Sequence, residues 1–332
     1  MSVHRRFLPC LIGCALLVAS ATADVSQAAA ATSPKTTRKA TTPKGLYPPT
    51  GRAPRAEVPF LAESPIDPVE KERVAPANRL FTMLVIGSDA RPKENVLRTR
   101  ADSLHLFVWN PATNQGALLG FPRDSYVDVP GRGKRKINDS LGLGGPALVM
   151  ATVNGVTKQP ALKVERYVVT GFAGFEKLIN EIGGVNVLVD PLMNDSASGA
   201  KFAKGWHAMN GPAALAFARD RKDVAGGDLG RSLNQGRLLL YTLAKLREEV
   251  SDVAGLTRWV QTVQRNTASN LPLGDFLVLS QIARSIDPVN IQNRVLTGKQ
   301  KTVSGASVIA LDNTPLTKLM ADLATDGLQN GR

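Results

Sequence analysis

The sequence predicts an α/β fold, a central mixed β-sheet with helices on both faces. Three observations carry that prediction. Apolar runs with β-branched members, each closed by a turn, recur between residues 80 and 121. Strand-like and helix-like segments alternate from 144 to 189, and a long amphipathic stripe follows residue 228.

The first run, Leu80 to Ile86 (LFTMLVI), is uninterrupted, as a strand covered on both faces requires. It ends in Gly87-Ser88-Asp89-Ala90-Arg91-Pro92, a turn carrying a carboxylate and a guanidinium. The second, Ser103 to Trp109, follows Arg100-Ala101-Asp102 and closes on Asn110-Pro111-Ala112-Thr113-Asn114, strong turn chemistry. The third, Ala117 to Phe121, leads straight into Pro122-Arg123-Asp124. With the second and third runs as a hairpin and the first antiparallel to the second, Asp89, Arg100, Asp102, Arg123 and Asp124 meet at one sheet edge. One charge beside a strand is ordinary loop solvation; five of both signs at one edge point to a site.

Gly144-Gly145-Pro146 opens a helix through Thr152, with proline at a permitted first-turn position. Glu165 to Thr170 reads as a strand, Phe172 to Ile182 as a helix and Gly184 to Val189 as another strand. Neither Gly-Leu-Gly-Gly nor Gly131-Arg-Gly-Lys has the spacing of a nucleotide-binding loop. Arg132, Lys134, Arg135 and Lys136 form a basic loop, either a solvated turn or an anion-binding one. In Ala214 to Arg221 (ALAFARDR), a helix would set Arg219 and Arg221 about 200° apart. A paired guanidinium clamp therefore requires an extended segment there.

From Asp228 a helix runs to about Val250, and Arg231, Gln235, Leu239, Leu243, Leu246 and Val250 share one stripe. The stripe is apolar at its C-terminal end, so Arg231 and Gln235 point inward. A buried guanidinium needs a partner, and an ion pair with Asp228 is the plain alternative to a ligand. Leu256 to Asn266, Leu273 to Ile286, a strand from Ile291 to Leu296 and a last helix from Thr314 read as scaffold.

The 332 residues are 43% hydrophobic and 21% charged, which excludes wholesale disorder. Aromatics at 5% are sparse for base stacking along a nucleic acid. Cys10 and Cys14 both lie in the leader, so a zinc-thiolate site, a catalytic cysteine and a disulfide framework are excluded from the remainder. Beyond the leader only His105, alternating into a strand, and His207, in a loop, remain. Without an HExxH spacing they argue against zinc.

Residues 1–23 carry Arg5 and Arg6, then an uncharged run from Phe7 to Ala23 ending in Ala21-Thr22-Ala23. That is the pattern of an export signal, with a short membrane anchor as the alternative. Either places the working domain outside the cytoplasm. Residues 24–77, rich in Ala, Thr, Pro and Lys, show no apolar period and read as a flexible linker. The folded domain is expected over 78–326, leaving a short tail at 327–332. The net charge of +13 resides partly in leader and linker, and its sign favours anionic partners.

The ordered motifs LVIGSDAR, RADS, GFPRDSYVDVPGRGKRKIN, GGPALVMATV, GFEKLINEIGGVNVLV, KGWHAMNGPAALAFARDRKD and GDLGRSLNQGRLL resemble the LytR–CpsA–Psr family of cell-envelope proteins. The resemblance covers roughly residues 79–325. It implies a three-layer α-β-α sandwich with a hydrophobic pocket for a polyprenyl chain. It also implies transfer of a glycopolymer from a polyprenyl-pyrophosphate carrier to a peptidoglycan hydroxyl at the membrane surface, with no nucleic acid involved. Carried over by motif, Asp89 and Asp102 correspond to residues that bind Mg²⁺ or act as base. Arg100, Arg123, Arg219, Arg221, Arg231 and Gln235 correspond to residues gripping the pyrophosphate, with Lys136 nearby; Asp89, Asp102, Arg100 and Arg123 are the expected catalytic set. Ala90 and Ala101 stand where Ser is common in the family, and Asn234 where Arg often precedes the Gln. The alternatives are an exported polyprenyl-phosphate-binding or pyrophosphatase protein, and a transcriptional attenuator, for which no base-reading helix stands out.

Overall fold

The computed structural model describes residues 67–328. The first part of the chain comprises α1 (Pro68–Val74), β1 (Phe81–Ser88), β2 (Ala101–Asn110), β3 (Gln115–Gly120), β4 (Tyr126–Val129), β5 (Gly133–Lys136) and α2 (Asp139–Thr157). β6 (Tyr167–Thr170), α3 (Phe172–Glu181), β7 (Val185–Val189), β8 (Met193–Asp195), β9 (Ala200–Phe202), β10 (Gly205–Met209), α4 (Gly211–Arg219) and α5 (Asp228–Glu249) follow. The last part holds α6 (Val253–Asn266), β11 (Ala268–Ser269), α7 (Leu273–Ser285), β12 (Ile291–Val295), β13 (Gly298–Val303), β14 (Ala306–Leu311) and α8 (Asn313–Asp326).

Six strands form the central sheet in the order β11-β6-β1-β2-β3-β12. β1, β2 and β3 are an antiparallel meander, whereas β6 runs parallel to β1 and β12 parallel to β3. The C-terminal ends of β1, β3, β6 and β12 therefore share one edge with the start of β2, the edge at which the sequence gathers its charges.

Alternation along the strands divides the core. On one face Leu84, Ile86, Leu104, Leu106 and Leu119 pack with Val149 and Val153 of α2 and Leu323 of α8. On the other, Phe81, Trp109 and Leu118 pack with Leu240 of α5 and Ile282 of α7. The result is the three-layer sandwich, and each such fully buried side chain contributes roughly 1.5–3 kcal/mol. A lobe beside it, built from α3, α4 and the paired strands β7–β10 and β8–β9, packs Ile179, Val187 and Phe217 against Leu238 and Tyr241 of α5. Helix α5 is seated on the sheet at close range. A Cβ on Gly236 would collide with Asn293 of β12, and Asn293 Nδ2 donates to the Leu233 carbonyl at 2.9 Å.

Several expectations need correction. Among the described residues, helical structure is already present at α1, ten residues before the expected boundary at 78. Asp67 caps this helix through the Val69 N–H, and Val74 and Ala75 are buried in the cluster that holds Val278 and Ile282 of α7. Seven residues are too few to display a period. The helix expected over 144–152 is the second half of the longer α2, kinked where Gly145 adopts φ 67° ahead of Pro146. β7 pairs with β10 in the lobe instead of joining the central sheet. The β13–β14 hairpin, unanticipated, turns at Ser304-Gly305 and meets the residue before β4 in an isolated Ser125–Ile309 bridge.

The leader and linker residues up to 66 lie outside the described residues. Among the described residues no helix is long and apolar enough to cross a membrane.

Candidate active site

At the crowded sheet edge, Asp102, in the second position of β2, forms an ion pair with Arg123, which leaves the end of β3. Arg123 Nε also lies 3.9 Å from Asp124 Oδ1, and that oxygen is 2.7 Å from Lys136 Nζ at the end of β5. The four side chains alternate in sign along the edge. Asp89 serves the loop between β1 and β2: its Oδ1 accepts the Arg100 backbone N–H at 2.9 Å, and its own N–H donates to the Arg100 carbonyl at 2.9 Å.

The first turn of α5 supplies the deepest cation. Arg231 is only 5% exposed and is ion-paired with buried Asp228; Arg221 Nε is 3.6 Å from the same carboxylate. Burial lowers the Arg231 pKa from its ordinary value, opposed by Asp228 and Asp102 and reinforced by repulsion from Arg221 and Arg123. Those interactions place Asp228 of the same helix turn, and Asp102, Arg123 and Arg221 from other segments, within electrostatic reach of Arg231. Its Nε is buried with no hydrogen-bond partner, as is Nε of Arg123. Donors left so cost free energy that an anionic ligand would offset.

One turn further on, Gln235 Nε2 donates to the Ala218 carbonyl at 3.1 Å and to the Asp102 carbonyl at 3.5 Å, joining α5 to both α4 and β2. The inward orientation of Arg231 and Gln235 follows the stripe read from the sequence, and the Asp228 pair is present as well.

The extended segment expected over 214–221 is not. Asn210 caps α4 through the Ala213 N–H at 3.1 Å, Pro212 occupies its first turn, and the alanine-rich run stays helical to Arg219. Helix propensity outweighs the period-two argument. The chain becomes extended only at Asp220, whose buried carboxylate accepts the N–H groups of Lys222 and Asp223. Arg219 and Arg221 consequently do not form a clamp. The Arg219 guanidinium lies over the Phe172 ring at 4.9 Å, while Arg221 turns to Asp228.

Between the sheet and helices α3, α4 and α5 runs a narrow apolar slot of about 110 Å³. Val85, Phe172, Phe175, Leu215, Leu238 and Leu239 line it, and Asp102, Arg219, Arg231 and Gln235 supply its polar lining. Gly87 keeps the wall open beside Ser103, since a Cβ there would come within 2.8 Å of the Ser103 Cβ. Asp89 and Arg100 line a neighbouring open cavity instead. The predicted residues therefore divide: Asp102, Arg219, Arg231 and Gln235 at the slot, Asp89 and Arg100 next door, and Arg123, Lys136 and Arg221 tied in through ion pairs.

No cluster of three or more His, Cys, Asp or Glu side chains suited to a metal occurs among the described residues. The hard oxygens of Asp89 and Asp102 nevertheless fit Mg²⁺, which takes one or two carboxylates together with water and substrate phosphate. Arg123 engages one oxygen of Asp102, and the Arg100 N–H engages one of Asp89, leaving each carboxylate a second oxygen.

The LytR_cpsA_psr family model matches residues 61–325. The chain belongs to the LytR–CpsA–Psr family. Among curated family members, the polyisoprenyl-teichoic acid–peptidoglycan teichoic acid transferase TagT of Bacillus subtilis (strain 168) is 29% identical over 259 residues, spanning 76% of this chain and 78% of that protein. The corresponding transferase TagU of Bacillus mycoides (strain KBAB4) is 32% identical over 191 residues, spanning 57% of this chain and 60% of that protein. The crystal structure of B. subtilis TagV aligns with a TM-score of 0.65 at 28% identity, covering 75% of this chain and 97% of that one. TagT bound to LIIa-WTA aligns at 0.62 and 27% identity, covering 76% and 92%.

Ala90, Ala101 and Asn234, where this LytR–CpsA–Psr chain departs from its family pattern, are not among the residues that line the slot. Ala90 and Ala101 are buried, and Asn234 is buried with its Oδ1 accepting from Arg237 at 3.1 Å. Phe172, the platform under Arg219, is one residue that sequence reasoning assigned no role; its position at the start of a helix directly after Gly171 was the available signal. His105 is buried scaffold. Nε2 donates to the Ser232 carbonyl at 3.1 Å and Nδ1 lies 3.2 Å from the Ser103 hydroxyl, with burial lowering its pKa to about 4. A carbonyl can only accept, so Nε2 carries the proton and Ser103 donates to Nδ1.

Proposed function

We propose that this chain transfers a glycopolymer from a polyprenyl-pyrophosphate carrier to a sugar hydroxyl of peptidoglycan. One observation carries the reading: an apolar slot meets a buried, partly unsatisfied guanidinium, Arg231, with Asp102 and Gln235 beside it. A lipid diphosphate has that distribution of apolar and anionic character.

In this reading the slot takes the head-proximal part of the lipid, and it widens for the rest. Arg231, Arg219, Arg221, Arg123 and Arg100 hold the diphosphate oxygens, as guanidinium forks do without risk of deprotonation. Gln235 positions α5, and Lys136 acts through Asp124 on Arg123. Asp102, at the slot, would hold Mg²⁺, which supplies charge neutralisation at the phosphates when bound, and Asp89, in the neighbouring cavity, is left to act as base. The acceptor oxygen bonds to the sugar-side phosphorus, and the bond from that phosphorus to the bridging oxygen breaks. Polyprenyl phosphate leaves with the bond's electrons. Asp89, at the open cavity, takes the hydroxyl proton. The arginines stabilise charge on the leaving group, the kind of contribution that mutagenesis values at about 2.7–4 kcal/mol per donor. Because the acceptor lies in the wall, the reading includes export by the segment 1–23 and work at the outer membrane surface.

The test is release of polyprenyl phosphate from a synthetic lipid-pyrophosphoryl disaccharide, with the disaccharide phosphate recovered on a glycan acceptor. Donor bound without release would leave an exported binder, and release into water alone would leave a pyrophosphatase.

A further inference from the structure

The cavity beside the slot contains more chemistry than the reaction uses. We propose that it is a subsite for the first anionic group of the donor's glycopolymer beyond the diphosphate, held by Arg91, Arg98 and Arg135. The proposal builds on the transferase reading and names a feature of its substrate, a polymer charged close to its lipid-linked end.

Position comes first. The cavity, about 430 Å³, includes Asp89 and Arg100 and so opens beside the proposed reacting centre. Arg91 also lines a smaller cavity of about 330 Å³ together with Phe172 and Arg219. Phe172 and Arg219 belong to the lipid slot as well. Through shared residues Phe172, Arg219 and Arg91 the lining continues from the slot mouth around the β1–β2 loop, along the way a polymer leaving the diphosphate would take.

Charge comes second. Arg91, Arg98, Arg100 and Arg135 share the cavity with Asp89, Glu94 and Asp139, yet no ion pair joins any of these seven among the described residues. Two of the carboxylates serve the backbone instead. Glu94 Oε2 accepts the Arg91 N–H at 2.7 Å, and Asp89 accepts that of Arg100. Arg135 is oriented by two hydrogen bonds to the Arg132 carbonyl, at 3.1 and 2.7 Å. Glu94 and Asp89 shape the loop, the Arg91 and Arg98 guanidiniums stay out of ion pairs among the described residues, and Arg135 keeps Nη1 for a ligand.

Ligand class follows from what is missing on the wall. No aromatic ring lines the cavity, so it offers no face for sugar stacking; its recognition is by charge. Guanidinium forks match phosphodiester or carboxylate oxygens. The loop is already ordered by turns in which Glu94 N–H donates to the Arg91 carbonyl at 3.0 Å and Arg98 N–H to the Asn95 carbonyl at 2.9 Å, which keeps the entropic cost of binding low.

The experiment measures binding of a soluble oligo(glycerol phosphate) and of a neutral oligosaccharide of equal length to the full chain. It compares wild type, Arg91→Gln/Arg98→Gln, and a charge-matched control, Lys299→Gln/Lys301→Gln, on the exposed strand β13. Expected is about a tenfold weaker polyanion affinity for the loop variant only, equal to about 1.4 kcal/mol. In transfer assays the same variant should lose about tenfold in kcat/KM with a donor extended by one glycerol phosphate, by the same conversion. With the neutral disaccharide donor it should stay at the wild-type rate. Equal loss in the control pair, equal loss with both donors, or no loss would overturn the proposal. So would a loss that disappears once the acceptor's carboxylates are amidated, since the cavity would then serve the acceptor. A chain that binds the polyanion through Arg91 and Arg98 but transfers neither donor would keep the subsite and remove the transferase reading.

Discussion

Replacing Arg231 with alanine separates structure from chemistry at the base of the slot. The guanidinium and Asp228 are both buried, and among the described residues the only other cation paired with that carboxylate is Arg221 at 3.6 Å. Removing one partner of a buried ion pair costs about 3–5 kcal/mol, because the remaining charge is left uncompensated. For a domain of this size that corresponds to a melting temperature lower by about 6–20 °C. If Arg231 also stabilises charge on the departing polyprenyl phosphate, transfer falls by about 10²–10³. A second variant parts the two effects. Arg231→Met with Asp228→Asn removes both charges and keeps volume, so it should regain most of the stability while transfer stays low. Thermal unfolding and polyprenyl phosphate release, measured on the same preparations, read the two quantities. Transfer restored in the double variant would mean that Arg231 serves only Asp228, and the diphosphate assignment would fall. An unchanged melting temperature in Arg231→Ala would remove the ion-pair premise itself.

Three further outcomes are expected. Gly87→Ala should place its Cβ against Ser103, weakening lipid binding severely for about 1–3 kcal/mol of stability; unchanged polyprenyl phosphate affinity would show that the slot is not the lipid path. The folded state keeps His105 neutral, with its pKa at about 4, and so binds fewer protons than the unfolded chain. The associated stability, about 3 kcal/mol, is complete above pH 6.5 and lost as the pH falls from 6.5 to 4; urea titrations should show His105→Gln lacking that dependence, and parallel curves would refute it. EDTA should stop polyprenyl phosphate release and Mg²⁺ restore it, with Asp102→Asn unresponsive; release indifferent to EDTA would remove the metal from the reaction.

The sheet edge was legible because its strands announce themselves. A continuous apolar run, a turn of Asn and Pro, and a second run leave few ways to pair β1, β2 and β3, and pairing alone delivers Asp102 to Arg123. Arg231 and Gln235 were legible for a different reason: leucines further along α5 fix which way that helix faces. What failed was local. The period-two pattern of Arg219 and Arg221 competes with an asparagine cap, a first-turn proline and a run of alanines, and the helix formers win. α1 is too short for a period, and its burial depends on α7, two hundred residues away. The β13–β14 hairpin did leave a signal, Ser304-Gly305 between Thr302-Val303 and Ala306 to Leu311, at positive φ in both positions of a tight turn. The division of Asp89 and Asp102 between neighbouring cavities depends on side-chain packing that no spacing rule reaches.

The seating of α5 sets one wall of the slot in place. With Gly236 pressed against Asn293, Asn293 tied to Leu233, and His105 bonded to the Ser232 carbonyl, this helix has no room to retreat toward the sheet. Phe175 of α3 and Leu215 of α4 form the wall across the slot from Leu238 and Leu239 of α5. The contacts that seat α5 thus set the aim of Arg231 and Gln235, which that helix carries, while Arg219 of α4 and Phe172 of α3 face them across the slot.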